Sequence, residues 1–248
     1  MIGDGVMVQE LRGRAAVRML ISATLTLATV ATSAVADQPG RGLVSVVEQQ
    51  YLKFIIDHHY SALRITELAA GTDVMRDAAL DPAEGTSPTP GTSVVSAKAH
   101  SADLRSMARR ENRTQREEIQ EARGFLKNWY GVDYEPRLRS MGKAQIALLE
   151  KTPGGEQFDH LYMEVLARHH YAAIVPSTAC QVSADVEHEP LRRYCSGVVH
   201  MQISEIDTLR EMLCDRFSVC DYLPLVGIKG RHSGRDGEQL VDVPADEP

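Results

Sequence analysis

Apolar residues recur along most of this chain at spacings of three and four, the pattern of helices that bury one face. The pattern predicts four main helices, over residues 44–70, 94–130, 156–185 and 190–217, and a shorter one over residues 136–150. Gly131 ends the second helix, and Pro190 suits the first turn of the fourth. The sequence therefore predicts an all-α fold, with one short extra helix between its two halves.

A repeat relates the two halves of the chain. Residues 51–63 read YLKFIIDHHYSAL, and residues 162–174 read YMEVLARHHYAAI. The paired histidines are 111 residues apart, whereas Gln115 and Gln202 of the following helices are 87 apart. The difference of 24 residues falls in the first half, where residues 81–91 are rich in Pro, Gly and Thr and predict a loop. Two related helical hairpins of this kind predict a four-helix bundle.

Helix geometry places the paired histidines on buried faces. With about 100° of rotation per residue, each pair flanks the midline of the apolar face of its helix: His58, His59, His169 and His170. Asp57 and Arg64 fall on the opposite, outward side of the first helix. The histidines are therefore expected to point into the bundle, where the two halves meet.

The second and fourth helices carry polar residues in the middle of their apolar stripes. Gln115 and Glu118 interrupt one stripe, and Gln202 and Glu205 interrupt the other at matched positions. Buried carboxylates and amides destabilise a fold unless they are bonded. In an antiparallel hairpin these residues come to about the height of the histidines, which are therefore their expected partners.

These motifs resemble a known family. A helix with two histidines and a small residue, followed by a helix with Gln-x-x-Glu-Ile, is similar to the exported bacterial family called domain of unknown function 305. The resemblance covers about residues 47–217 and includes both halves. It implies a ferritin-like four-helix bundle, and it implies copper binding in the cell envelope, which is linked to some members of that family.

The resemblance and the residue types together predict a transition-metal site of the copper or zinc class. The expected ligands are His58, His59, His169, His170, Glu118 and Glu205, and Gln115 and Gln202 are expected to orient them. The methionines that usually flank the histidines in the family are replaced here, by Ile55 and Leu166 before the pairs and by Ile65 and Pro176 after them. Thioethers favour Cu(I), so imidazole with carboxylate favours Cu(II), Zn(II), Ni(II) or iron instead.

Two alternatives to a metal site remain open. In the first, the same His, Gln and Glu residues form a closed hydrogen-bond network in a structural or partner-binding bundle. In the second, the bundle is an oxidoreductase, for which the sequence gives weak grounds. Di-iron oxidases of this fold use Glu-x-x-His motifs, none falls on the inward faces here, and Glu67 and Glu164 are predicted to point outward. The sequence shows no Gly-rich phosphate loop.

The N-terminal residues predict export. Three arginines precede the apolar run 19–30, and an Ala-x-Ala cleavage pattern follows at residues 34–36. We therefore expect a signal peptide over residues 1–36, a bundle domain over 43–222 with halves 43–131 and 156–217, and a disordered tail over 223–248. The expected location is the periplasm, cell envelope or extracellular space, with no stable membrane insertion after cleavage. The net charge of −7 gives no reason to expect nucleic-acid binding, and no protein partner is predicted.

The four cysteines predict two disulfides, as is usual in an oxidising compartment. Cys195 and Cys214 lie about 28 Å apart along one helix, too far to bond. Cys180 lies near the turn where the fourth helix begins, so it is close to Cys195 and far from Cys214. The expected pairs are therefore Cys180–Cys195 and Cys214–Cys220.

Overall fold

The computed structural model describes residues 38–72 and 88–225 and contains five helices there. They are α1 Leu43–Ala70, α2 Ala102–Tyr130, α3 Ser140–Lys151, α4 Glu156–Val182 and α5 Glu189–Phe217. In these residues β pairing is limited to an isolated bridge between Ala99 and Gly155. The prediction of an all-α fold with a short helix between two halves is confirmed.

Three predicted features lie wholly or largely outside the described residues. They are the signal peptide over residues 1–36, most of the loop over 81–91, and all but the first three residues of the tail over 223–248. The domain boundaries that depend on them stay predictions. Within the described part of the chain, every helix falls short of the length and apolar character that crossing a bilayer requires.

The four long helices form two antiparallel hairpins. α1 packs along α2 and α4 along α5, and α1 also packs against α4. Tyr51, near the start of α1, donates a hydrogen bond to Ser177 near the end of α4, so these two helices are antiparallel as well. At the end of α2, Tyr130 donates to Glu48 at the start of α1. The predicted four-helix bundle of two hairpins is therefore present.

The second helix begins eight residues later than the sequence predicted. Ser101 is its N-cap, and its side chain accepts a hydrogen bond from the Leu104 N–H. The residues before it are extended along the end of α1, where the Lys98 N–H donates to the Leu68 carbonyl and the Ala99 N–H to the Ala69 carbonyl. These bonds use the N–H groups of Lys98 and Ala99, which a longer α2 would have needed for its own backbone hydrogen bonds.

The outward face of α1 is covered rather than exposed. α3 packs against it at Gly142, where a Cβ atom would collide with Ser61. Asp57 is buried and accepts hydrogen bonds from the Tyr134 hydroxyl, the Arg137 N–H and the Arg139 Nε. Glu67, predicted to point into solvent, is also buried. The segment between the halves therefore gives α1 a polar network that the sequence repeat does not contain.

The apolar core has two parts, one towards each end of the bundle. One part includes Leu68, Leu104, Phe158 and Leu209. The other includes Leu52, Leu126, Leu191, Cys195 and Cys180, and its last two members form a disulfide. On α4 the boundary between the two parts falls at the paired histidines, and on α1 it falls between Leu63 and Ile65, about one turn after them. The bundle therefore has a polar layer at its centre.

Both disulfides have the predicted connectivity. Cys180 bonds to Cys195, which ties the end of α4 to the start of α5. Cys214 bonds to Cys220, which fixes the residues after α5 to its last turn. The described residues contain no free cysteine.

Candidate metal centre

The four histidines come together at the centre of the bundle. Ring centroids are 5.9 Å apart for His58 and His59, 3.8 Å for His58 and His169, and 6.2 Å for His169 and His170. His58 and His169 are therefore the inner, stacked pair, and each has the other histidine of its own helix as a neighbour. All four are buried. The two histidine pairs, which the sequence predicted to meet at one level, are in contact here.

The two inner histidines stack face to face. Their planes differ by 8°, so the lone pairs of His58 and His169 lie in two nearly parallel planes and do not converge on one ion between the rings. Nδ1 of His169 lies 2.9 Å from the amide oxygen of Gln145 on α3. Because that oxygen is an acceptor, the Nδ1 carries the proton, and Nε2 of a neutral His169 keeps its lone pair.

Each outer histidine lies against a carboxylate of the neighbouring helix. His59 Nε2 is 3.1 Å from Glu118, and His170 Nε2 is 3.1 Å from Glu205. These two contacts join residues that correspond in the repeat, so the two hairpins are related by an approximate two-fold axis through the stacked rings. The predicted His and Glu residues are therefore brought together in two half-sites.

A third carboxylate, Glu111 of α2, enters only one half-site. Its Oε1 is 3.6 Å from His170 Nε2. Atoms of Glu111, His170 and Glu205 lie within 4.8 Å of one another, and in the described residues this is the one such group of three potential ligands. Gln115, one turn further along α2, donates from its Nε2 to the Glu111 carboxylate and holds it towards the centre.

The electrostatics of the centre favour neutral groups. Burial lowers the pKa of His58, His169 and His170, and for His58 and His169 the neighbouring histidines lower it further. Burial raises the pKa of Glu111 well above its ordinary value, and the adjacent Glu205 adds to this. These three imidazoles are therefore in their neutral, ligand form, while Glu111 lacks a cation beside it.

Many polar atoms of the centre have no hydrogen-bond partner. Buried atoms in this condition are His58 Nε2, His59 Nδ1 and Nε2, Glu111 Oε2, Gln115 Oε1, Tyr162 Oη, His169 Nε2, His170 Nδ1 and Nε2, Gln202 Nε2 and Oε1, and Glu205 Oε2. Buried polar groups in folded proteins are nearly always bonded, and each unbonded one costs about 1–3 kcal/mol. Three of these atoms, His59 Nε2, His170 Nε2 and Glu205 Oε2, make the 3.1 Å contacts described above without the alignment of a hydrogen bond. The other nine leave the layer short of a closed network.

The centre is connected to solvent through its carboxylates. The side chains of Glu118 and Glu205 are 18% and 17% exposed, whereas the histidines they contact are fully buried. A surface cavity of about 300 Å³ lies beside Glu118, lined also by Glu121, Tyr194 and Gly197. An ion could therefore reach the histidines from the side of α2 and α5.

Three residues of the centre were not predicted to belong to it. Glu111 has the three-and-four spacing of its stripe but has Val198 as its counterpart in the second half. Gln145 belongs to the short helix α3, which lies outside the repeat. Tyr162 was recognisable only as the counterpart of Tyr51, and it lies near Glu111 and Glu205, whose charges raise its pKa further after burial.

Comparisons with known proteins give three results. The chain is similar in structure to CopM in the Cu(I)-bound form, with 17% identity and a TM-score of 0.49, over 68% of this chain and 96% of that one. It is similar to CopM in the Ag-bound form (by co-crystallization), with 16% identity and a TM-score of 0.49, over 68% of this chain and 97% of that one. No curated protein matches the sequence.

A family profile matches about half of the chain. Its description is domain of unknown function (DUF305), and it matches residues 92–213, which include α2, α3 and α4 and most of α5. Residues 92–213 of the chain therefore match the domain of unknown function 305 family, as the repeated motifs predicted.

Proposed function

We propose that this protein is an exported helical bundle that binds a transition-metal ion of the copper or zinc class at its centre. The observation that carries the proposal is the layer of buried nitrogen and oxygen atoms without hydrogen-bond partners. Imidazole nitrogen and carboxylate oxygen are the usual ligands of such ions. A bound cation would engage these atoms and offset the cost of burying them.

Ion binding explains the centre better than a closed structural network does. In a network each donor would face an acceptor, as the Asp57 carboxylate does with three donors. At the centre, Gln202 has neither its amide nitrogen nor its oxygen bonded. The route to solvent beside Glu118 is also unnecessary for a purely structural network.

Export is part of the proposal because both cysteine pairs are disulfides. Disulfides persist in oxidising compartments outside the cytoplasm and are rare inside it. The predicted signal peptide over residues 1–36 requires the same location. Sequencing the N-terminus of the protein purified from its own cells would test this, with a mature start near residue 37 as the expected result.

Calorimetric titration with Zn(II) and Cu(II) tests the metal site. We expect saturable binding by the wild type and a loss of at least about 100-fold in affinity for His170→Ala, since loss of a supporting residue alone costs about 10–100-fold. His200→Ala is the matched control, because His200 is an exposed histidine of α5. Equal, weak binding by all three proteins would contradict the proposal and favour the structural alternative.

A further inference from the structure

The two half-sites are built alike except at one position. The repeat offset of 87 residues that relates Gln115 to Gln202 and Glu118 to Glu205 also relates Glu111 to Val198. Both residues are buried, and each lies one helical turn before the glutamine of its stripe. The first hairpin therefore contributes a carboxylate where the second contributes an isopropyl group.

The two-fold relation decides which histidine gains that carboxylate. Glu111 belongs to the first hairpin but reaches His170 of the second, at 3.6 Å. By the same relation Val198 corresponds to a place beside His59, where it adds no ligand atom and packs instead with the apolar core. The half-site of His59 is left with Glu118 as its close carboxylate.

The spacing in the richer half-site suits one ion. Ligands at about 2.0–2.1 Å in a tetrahedral arrangement lie about 3.3 Å from one another. His170 Nε2 is 3.1 Å from Glu205 and 3.6 Å from Glu111. These separations require little movement, and Nδ1 of the fully buried His170 ring has no hydrogen-bond partner.

We propose that the centre is asymmetric and holds one divalent ion per chain with high affinity, at Glu111, His170 and Glu205, while the half-site of His59 and Glu118 binds weakly. This inference rests on the proposed metal-binding function and adds the position, number and class of the ion. One imidazole and two carboxylates form a nitrogen–oxygen set with two negative charges. Such a set selects Zn(II) or Cu(II) over Cu(I), which prefers sulfur ligands.

Exchanging the two differing residues tests the asymmetry. Glu111→Val copies the second half into the first, Val198→Glu does the reverse, and the double variant exchanges the half-sites. With Zn(II) in equilibrium dialysis and calorimetry, we expect one tight ion for the wild type and at least about 100-fold weaker binding for Glu111→Val. Val198→Glu should bind two ions tightly, and the double variant one.

Histidine ¹⁵N resonances locate the ion independently of affinity. On adding one equivalent of Zn(II), the wild type should show a shift of the ring nitrogens of His170 and none of comparable size for His59. The double variant should reverse this result. Glu111→Gln keeps the volume of the side chain and should also weaken binding, by about 10-fold or more, so the result does not depend on how well the valine variant folds.

Each outcome separates the two proposals. If the wild type binds neither Zn(II) nor Cu(II), the metal-binding function itself is wrong. If the wild type binds but Glu111→Val and Glu111→Gln retain its affinity within about threefold, the site is real and the asymmetry is wrong. Two equal tight sites in the wild type, or equal shifts for His59 and His170, would overturn the asymmetry in the same way.

Discussion

Glu48 near the start of α1 and Glu111 in the middle of α2 are both buried glutamates, but their surroundings differ. Glu48 accepts hydrogen bonds from the N–H groups of Glu187 and His188, from the Tyr130 hydroxyl, and from the His188 ring. Glu111 accepts a bond from Gln115 of its own helix, and its other close polar neighbour is the carboxyl of Glu205, so its Oε2 faces no fixed donor. One carboxylate is fully bonded by the fold, and the other is not.

The same difference holds for the regions around them. At the end of the bundle where α1 begins, the His188 ring stacks on Trp129 with 3.9 Å between ring centroids, and its Nε2 donates to the Gln38 carbonyl. At the centre, the rings and Glu111 are equally buried but lack donors and acceptors to match. Buried polar groups that stabilise a fold are recognised by complete bonding. Incomplete bonding in a layer that reaches solvent indicates a place for a ligand.

Glu48→Ala should give the largest effect on stability. The change leaves the four donors around Glu48 without an acceptor, so we expect the free energy of unfolding to fall by about 3–5 kcal/mol. Metal affinity of the folded fraction should be unchanged, since Glu48 lies at the end of the bundle. Urea denaturation and Zn(II) titration of the same sample measure both. A parallel loss of metal affinity would mean that the two regions are coupled.

Removing the Cys180–Cys195 disulfide should have the next largest effect. The bond closes a separation of 15 residues, for which the loss of chain entropy in the unfolded state corresponds to about 3 kcal/mol. We expect Cys180→Ala/Cys195→Ala to be destabilised by about that amount in urea while binding Zn(II) as the wild type does. Cys214→Ala/Cys220→Ala, with a separation of 6, is the control and should lose less.

The pH dependence of stability should show that the Glu111 carboxylate lacks a cation or donors beside it. Burial and Glu205 raise the pKa of Glu111 above 4.5, so its contribution to stability is present below 4.5 and is lost as the pH rises through the folded-state pKa. Without metal, the wild type should therefore lose up to about 1.4 kcal/mol per pH unit relative to Glu111→Gln in that window.

Other titratable groups around Glu111 also change stability with pH, so the wild type is compared with Glu111→Gln at each pH. His170 and Tyr162 of α4 and Glu205 of α5 face it and are present in both proteins. Burial lowers the histidine pKa values below 6.5, so their contribution to stability rises with pH up to about 6.5 in both. A saturating amount of Zn(II) should reverse the sign of the difference. A pH-independent difference without metal would show that Glu111 is bonded after all.

Much of the fold could be predicted because it depends on local and repeated features. The three-and-four spacing indicates the helices, and the repeated His-His-Tyr segment indicates the two hairpins. The start of α2 was wrong because residues 98 and 99 bond to the last turn of α1, a contact between distant parts of the chain. The buried network of Glu67 was missed for the same reason: its partners Thr89 and Arg116 come from other segments.

The centre was predictable where the repeat preserves it. The sequence singles out His58, His59, His169 and His170 and their glutamates because the pattern occurs twice. It gives no such indication for Glu111, because the two-fold relation is broken there. The residue that distinguishes the half-sites is therefore the one that a search for repeats passes over, and only the fold brings it next to His170.

The smallest expected effect on stability comes from Tyr51 and Tyr162, which are counterparts in the repeat but differ in whether the hydroxyl is hydrogen-bonded. The Tyr51 hydroxyl donates to Ser177 at 3.0 Å, so Tyr51→Phe should cost about 0.5–1.5 kcal/mol. The Tyr162 hydroxyl is buried without a partner, so Tyr162→Phe should be neutral or stabilise the metal-free protein by up to about 1 kcal/mol. Both changes remove one oxygen from an equivalent position, so side-chain volume cancels in the comparison. Urea denaturation of the two variants without metal measures the difference. Equal losses would mean that Tyr162 has a partner in solution, and the central layer would then be closer to a closed network than its geometry indicates.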